Sequence, residues 1–460
     1  MIKFGTGGWR AEIGKDFIEF NIKKVAQSLA DRIVDNKENN ASVVIGYDRR
    51  FLSKEASVWI SEVLCSNNIK VLYINRSAPT PLIMHTVLKQ DLNYGIEVTA
   101  SHNPSTYNGI KIIVKEGRDA PVEITQDLEQ RCLKANVKCD ISFKEGIDKG
   151  LITIFKNPFN NFLDDIFSKL DIEAIKQRGL RILFDSMHGS STYPLNVLFY
   201  TTRCTLDQIN ANKDAYFGGN MPAPTENTLT ALIETVKSSN YDIGIGIDGD
   251  GDRLGIIDSN GKYISANDIL VLLYYYLHEY KGWKGPVVRN YSTTHLLDRM
   301  AEDFKEKCYE VPVGFKHISK KIDEVDAVLG GESSGGLTVR GHIHGKDSIY
   351  ASALFVEMIS KTNMSPTELL AKIHAKYGET SFVEYNIELK QGFDINEVSI
   401  PNFNKEIEKI NKEDGIKVYF KDGSFVTCRP SGTEPLLRIF AEAQDTSIAQ
   451  SYIEAWKKVI

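Results

Sequence analysis

At roughly 150 residues per domain, a chain of 460 residues is expected to hold about three domains, and 42% hydrophobic residues give it cores without staples. Its 55 Lys and Arg against 61 Asp and Glu leave a net charge of −6. No basic surplus invites a polyanion, so nucleic acid is excluded as the first partner class.

The opening eight residues lack the apolar h-region of a signal peptide, which makes the cytoplasm the expected compartment. From Asn21 to Asn36 the positions Ile22, Val25, Ala26, Leu29, Ala30, Ile33 and Val34 follow the spacing of an amphipathic helix. A short apolar run at 43–45 follows, then a helical pattern through Ala56, Trp59, Ile60, Val63 and Leu64, then a run at 71–74. Strand-like runs recur at 94–98, 181–185, 241–247, 285–289 and 326–329, with helix-length segments between them. The longest apolar run, 269–277, has nine residues, short of the ~18 that crossing a bilayer takes, so no membrane partner is expected. After about Tyr377 the pattern changes to alternating strands at 416–420 and 424–429, joined by an Asp422-Gly423 hairpin signal, and a final helix from Thr446.

These runs predict an α/β fold: three similar α/β domains with mixed, mainly parallel sheets over 1–155, 156–260 and 261–375, and a C-terminal α+β domain over 376–460. The six cysteines show no CxxC pairing and read as reduced, mostly buried thiols.

In such sheets ligands sit beyond the carboxyl ends of strands, and four segments there are chemically unusual. Residues 99–109, Thr-Ala-Ser-His-Asn-Pro-Ser-Thr-Tyr-Asn-Gly, gather hydroxyl, imidazole and amide groups, although Asn-Pro and Asn-Gly are also ordinary turn formers. Residues 248–253, Asp-Gly-Asp-Gly-Asp-Arg, set three carboxylates at i, i+2 and i+4, with glycines that let the backbone curl. An EF-hand is excluded, because its sixth and twelfth positions would fall on Arg253 and Ser259. Carboxylates within ~4 Å repel by about 4 kcal/mol per pair at an effective dielectric of 20, so a cation is expected, and an all-oxygen set favours Mg2+ over Zn2+. Residues 330–336, Gly-Gly-Glu-Ser-Ser-Gly-Gly, allow close ligand approach and offer groups for sugar hydroxyls. Residues 429–435, Arg-Pro-Ser-Gly-Thr-Glu-Pro, have the composition of a phosphate cradle. Each alone also reads as a Gly- or Pro-rich turn.

In this order, and with the opening Phe-Gly-Thr-Gly-Gly-Trp-Arg, the four segments resemble the α-D-phosphohexomutase family of phosphoglucomutases and phosphomannomutases over nearly the whole chain. The resemblance implies four domains around a central cleft. Ser101 would be the phosphorylated residue, and Asp248, Asp250 and Asp252 would hold Mg2+ together with a phosphoserine oxygen. Glu332 and Ser334 would read sugar hydroxyls, and Arg429, Ser431, Gly432 and Thr433 would grip the phosphate that is not reacting. Lys111 is the expected base, provided its pKa is lowered, with Lys316 from the Val-Pro-Val-Gly-Phe-Lys loop as a second lysine, and a plain phosphate counter-ion is the alternative role for either. Arg10, His102 and Arg253 are expected to orient phosphate or the serine loop.

The implied activity is interconversion of hexose 1-phosphate and hexose 6-phosphate through a hexose 1,6-bisphosphate, which would also serve as activator. The implied partners are small-molecule sugar phosphates, with monomer and homodimer both open. Gly-Glu-Ser-Ser-Gly-Gly departs from the Gly-Glu-Gln-Ser-Gly-His of glucosamine-type mutases, which favours glucose, then mannose, over glucosamine. A serine-dependent phosphohydrolase and a non-catalytic sugar-phosphate sensor are the competing readings. His342 and His344, without ligand-spaced partners, read as a surface loop.

Overall fold

The protein is described here from a computed structural model covering residues 2–5, 8–38, 41–389, 393–431 and 436–460. It divides into two compact units, Met1–Ile264 with Gly336–Ser365, and Ser265–Gly335 with Pro366–Ile460.

The first unit holds two sheets. One runs in the order Phe4–Gly5, Gly8–Glu12, Tyr107–Val114, Tyr94–Val98, Ser42–Tyr47, Lys70–Tyr73, Ile152–Ile154, with Arg118–Asp119 beside Tyr107–Val114. Its last four strands are parallel and almost wholly apolar, as burial on both faces requires. Helix Glu19–Asp35 buries Ile22, Val25, Ala26, Leu29, Ala30 and Ile33, the spacing expected, while Val34 at the edge of the stripe is 59% exposed. The other sheet runs Thr205–Ile209, Arg181–Asp185, Ile243–Ile247, Leu254–Asp258, Tyr263–Ile264, parallel across the first three strands and antiparallel thereafter.

Helix Ser348–Thr362 also belongs to this unit. Twelve of its residues, Ser348 to Ile359, are buried, and it packs on helix Ile172–Arg178, while Ser348 Oγ donates to Gly251 O at 2.6 Å. A helix so apolar must be covered.

In the second unit, strands Cys308–Val311, Val287–Asn290 and Leu329–Gly331 are parallel neighbours. The expected strand at 326–329 starts later, because Asp326 ends helix Phe315–Val325 in a left-handed C-cap, φ 51°. The nine-residue apolar run lies inside helix Ala266–Glu279 and is entirely buried. Strands Ser381–Glu388, Leu436–Ala443, Phe425–Pro430, Ile416–Phe420 and Ile407–Asn411 form a wholly antiparallel sheet with the expected hairpin at Asp422-Gly423. Helix Thr446–Lys457, capped by Asp445, lays Ala449, Tyr452, Ile453 and Trp456 on that sheet.

A buried ionic network ties the two sheets of the second unit. Lys417 Nζ donates to Glu310 Oε2 at 2.6 Å and to Tyr291 O at 2.8 Å, and it lies 3.0 Å from His295 Nε2. Arg289 pairs with Asp298 at 2.7 and 2.9 Å and with Glu310. All six cysteines are free thiols, four of them buried. Among the described residues no helix is long and apolar enough to cross a membrane.

Candidate active site

Two of the four unusual segments are reversals between antiparallel neighbours, Tyr94–Val98 to Tyr107–Val114 and Ile243–Ile247 to Leu254–Asp258. A strand that turns straight back leaves its polar loop at the end of the strands and fixes both ends of it.

In the first unit two of these loops meet. Ser101 Oγ donates to Asp248 Oδ2 at 3.2 Å, and both residues are buried. Ser101 sits at φ 51°, a left-handed conformation that a serine adopts only when its surroundings impose it. The imposing group is Arg50, whose Nη2 donates to Ser101 O and Asn103 O, both at 2.6 Å, and whose Nη1 donates to Pro104 O at 2.8 Å and Tyr107 O at 3.0 Å. Asp48 completes the scaffold, accepting from Thr99 Oγ1 and Ser53 Oγ at 2.7 Å, while Thr99 Oγ1 accepts from Ser101 N at 2.8 Å.

Asp248, Asp250 and Asp252 are buried and bring carboxylate oxygens within 4.8 Å of one another. The two glycines between them do different work. Gly251, at φ 81°, makes the curl, whereas a Cβ on Gly249 would stand 3.0 Å from Ser101 O, so that glycine admits the serine loop. Asp248 Oδ1 accepts from the amides of Asp252 at 2.8 Å and Arg253 at 3.1 Å. Asp250 Oδ2 accepts from Thr80 Oγ1 and Lys111 Nζ, each at 2.7 Å. Asp252 Oδ2 meets Lys111 Nζ at 2.8 Å and Lys346 Nζ at 2.9 Å. The remaining oxygens, Asp250 Oδ1 and Asp252 Oδ1, are buried without a hydrogen-bond partner. Burial, then repulsion from Asp250 and Asp252, pushes the Asp248 carboxyl well above the usual range. Unsatisfied, mutually repelling and all-oxygen, this donor set fits a hard divalent cation such as Mg2+.

Lys111 lies between Asp250 and Asp252. Burial alone would lower its pKa, but the two carboxylates outweigh that effect and hold the ammonium above the ordinary lysine value. His102 Nδ1 lies 3.5 Å from Ser101 Oγ, and burial, then Arg253, keeps the imidazole neutral. Arg10 Nη1 donates to Thr99 O at 2.8 Å and so holds the start of the serine loop. Arg253 Nε stands 3.8 Å from Asp252 Oδ1.

In the second unit, Glu332 Oε1 accepts from Asn290 Nδ2 at 3.3 Å and Gly314 N at 3.2 Å, and Ser334 Oγ donates to Glu332 Oε2 at 3.3 Å. Lys316 is half-buried at the start of helix Phe315–Val325. Arg429 Nε and Nη2 both donate to Asp414 Oδ1 at 3.2 Å, and Ser431 N donates to Leu436 O at 2.7 Å. Gly432 and Thr433 lie outside the described residues.

His342 is no surface residue. It is buried, with Nε2 2.6 Å from Asp347 Oδ2 and its ring 4.7 Å from that of Tyr350, while His344 is half-buried. Arg50, Lys346 and Asp414 were not singled out by sequence. For Arg50 the signal was present, since Asp48-Arg49-Arg50 directly follows strand Ser42–Tyr47, the position from which the other loops were chosen.

The chain matches the phosphoglucomutase/phosphomannomutase α/β/α domain I over 1–137, domain II over 160–261, domain III over 265–377 and the C-terminal domain over 384–458. It is 29% identical to a phosphoglucomutase/phosphomannomutase of Thermococcus kodakarensis, over 99% of this chain and 98% of the relative. It is 28% identical, with the same coverage, to a phosphoglucosamine/phosphogalactosamine mutase of Sulfurisphaera tokodaii. The fold is shared with parafusin, a phosphoglucomutase from Paramecium, at a TM-score of 0.83 and 20% identity over 99% of this chain and 94% of that one. All four domains of one family in order, along almost the full length, leave a single assignment: the chain belongs to the phosphoglucomutase/phosphomannomutase, or α-D-phosphohexomutase, family.

Proposed function

We propose that the chain is a Mg2+-dependent phosphohexomutase that interconverts hexose 1-phosphate and hexose 6-phosphate, with glucose as the first hexose and mannose as the second. The observation that carries the reading is the Ser101 hydroxyl at 3.2 Å from Asp248, beside two buried carboxylate oxygens that lack partners.

In this reading phosphorylated Ser101 gives its phosphoryl group to the free hydroxyl of the sugar phosphate. The P–Oγ bond breaks as the new P–O bond forms, the proton of the sugar hydroxyl passes to the released Ser101 Oγ, and the product is a hexose 1,6-bisphosphate. Return of the other phosphate to Ser101 Oγ releases the isomer, and added bisphosphate activates by phosphorylating the serine. Asp248, Asp250, Asp252 and a phosphoserine oxygen would hold Mg2+, which would supply a Lewis acid for the charge on the phosphoryl oxygens. A phosphoserine brings about −1.5 to −2 charge to three carboxylates, and Lys111, Lys346 and Arg253 offset it. Arg50 and Arg10 hold the serine loop by its carbonyls, and neutral His102 orients the hydroxyl. Glu332, Ser334 and Lys316 bind the sugar, and Arg429, Ser431, Gly432 and Thr433 grip the idle phosphate.

Glucosamine phosphates are the second reading, favoured by the Sulfurisphaera relative and opposed by Gly336 where glucosamine-type enzymes carry histidine. Phosphorus NMR with Mg2+, a trace of glucose 1,6-bisphosphate and glucose, mannose or glucosamine 1-phosphate in turn tests the proposal. A 6-phosphate without inorganic phosphate is the expected result, and the relative rates rank the sugars. Released inorganic phosphate would make the protein a hydrolase, and unchanged substrates would overturn the mutase reading for these hexoses.

A further inference from the structure

Asp414 lies in the turn between strands Ile407–Asn411 and Ile416–Phe420 of the second unit. Its two carboxylate oxygens face different partners. Oδ1 accepts from Nε and Nη2 of Arg429, both at 3.2 Å, and Oδ2 accepts from Val313 N at 2.8 Å. The next amide, Gly314 N, donates to Glu332 Oε1 at 3.2 Å. Two consecutive peptide N–H groups therefore strap one carboxylate that holds Arg429 to a second carboxylate, Glu332.

This closeness is built into the chain. A Cβ on Gly415, at φ +80°, would stand 2.5 Å from Cys428 O and 2.6 Å from Arg429 Cβ, so only glycine lets the Asp414 turn lie against Arg429. On its other side the turn is pinned to Tyr291, whose hydroxyl donates to Glu413 and accepts from Asn411 Nδ2 at 3.0 Å.

We infer that Asp414 is a positioning residue for substrate recognition: it fixes the Arg429 guanidinium and, through Val313 and Gly314, sets the spacing between the phosphate grip and the hydroxyl-reading Glu332. The inference rests on the reading of Arg429 as a phosphate ligand. A charge-assisted pair orients the planar fork of arginine, and a small misplacement of that fork weakens every bond it makes to phosphate. The consequence is selectivity for ligands that hold a phosphate and a ring hydroxyl at one separation.

The test measures kcat and KM for glucose 1-phosphate, its calorimetric affinity and the thermal midpoint in wild type, Asp414→Asn, Arg429→Lys and the double variant. Asparagine keeps one acceptor oxygen and loses the charge. Asp414→Asn is expected to raise KM about tenfold, with kcat within about twofold and an unmoved midpoint. Arg429→Lys should raise KM as well, and the double variant should be no worse than Arg429→Lys alone, because Asp414 acts through Arg429. Asp414→Glu, which keeps the charge but displaces the guanidinium by one methylene, should also raise KM, and it serves if the asparagine variant fails to fold.

A normal KM in both Asp414 variants, with Arg429→Lys impaired, overturns the inference and leaves the phosphate grip standing. A full additional loss in the double variant, or a lowered midpoint at unchanged KM, also overturns it. A harmless Arg429→Lys overturns the grip and the inference together.

Discussion

The serine and metal loops of the first unit and the recognition loops of the second are built on opposite plans. Ser101, Lys111, Asp248, Asp250 and Asp252 are each at most 4% exposed, and four bonds from Arg50 hold the carbonyls of the serine loop, at residues 101, 103, 104 and 107. In the second unit Ser334 is exposed, Lys316 and Arg429 are half-buried, and order comes from two carboxylates clasping two amides. Phosphoryl transfer needs its charges fixed and dry before substrate arrives. In the proposed reading the second unit would take a sugar phosphate in two orientations, and exposed Ser334 and half-buried Lys316 and Arg429 suit that.

The contrast can be broken by substitution. If Ser101 is the phosphoryl carrier as proposed, Ser101→Ala should lower turnover in a coupled assay by about 10³-fold or more with the fold intact. Retained turnover would take the chemistry away from the first unit altogether. Arg50→Lys leaves a buried cation with fewer donors for the loop carbonyls and should cost about 3–5 kcal/mol in denaturant unfolding, with kcat reduced in the folded fraction. Glu332→Gln keeps the acceptor for Gly314 N and loses the charge that faces the sugar. A rise in KM of about five- to tenfold, with kcat much less affected, would mark the second unit as the reader.

A smaller effect comes from pH. Burial, then Lys417 and Arg289, pushes His295 down to about 3, below its unfolded value near 6.5. Unfolding therefore takes up a proton as pH falls through that window, and the stability present above pH 6.5 is lost progressively toward pH 3. By pH 5 the loss is about 2 kcal/mol, and His295→Gln should remove it, flattening the acid limb of the unfolding profile. In the first unit His85, lowered to about 4 mainly by burial, should still titrate in that variant.

Much of this was legible from the chain. Strands at 94–98, 181–185 and 416–420 are where hydrophobic runs put them, because buried sheet positions tolerate little else. The Asp248–Asp250–Asp252 cluster was readable because its geometry is local, three residues on one curled turn. What escaped is non-local. Arg50 carries no sign in the sequence that its guanidinium will hold the carbonyls of residues 101, 103, 104 and 107, more than fifty positions away. His342, set among polar and glycine neighbours, looked like loop and is buried by Asp347 and Tyr350.

Two contacts of the first unit also bear on the order in which the protein folds. Ser101 and Asp248 are 147 positions apart, and Lys111 and Asp250 are 139 apart. Closing loops of that length comes late, after helices and local hairpins have formed. The reactive centre is thus among the last features to exist in a refolding chain. Half-folded molecules, rich in secondary structure, hold no completed site with which to spend a phosphate.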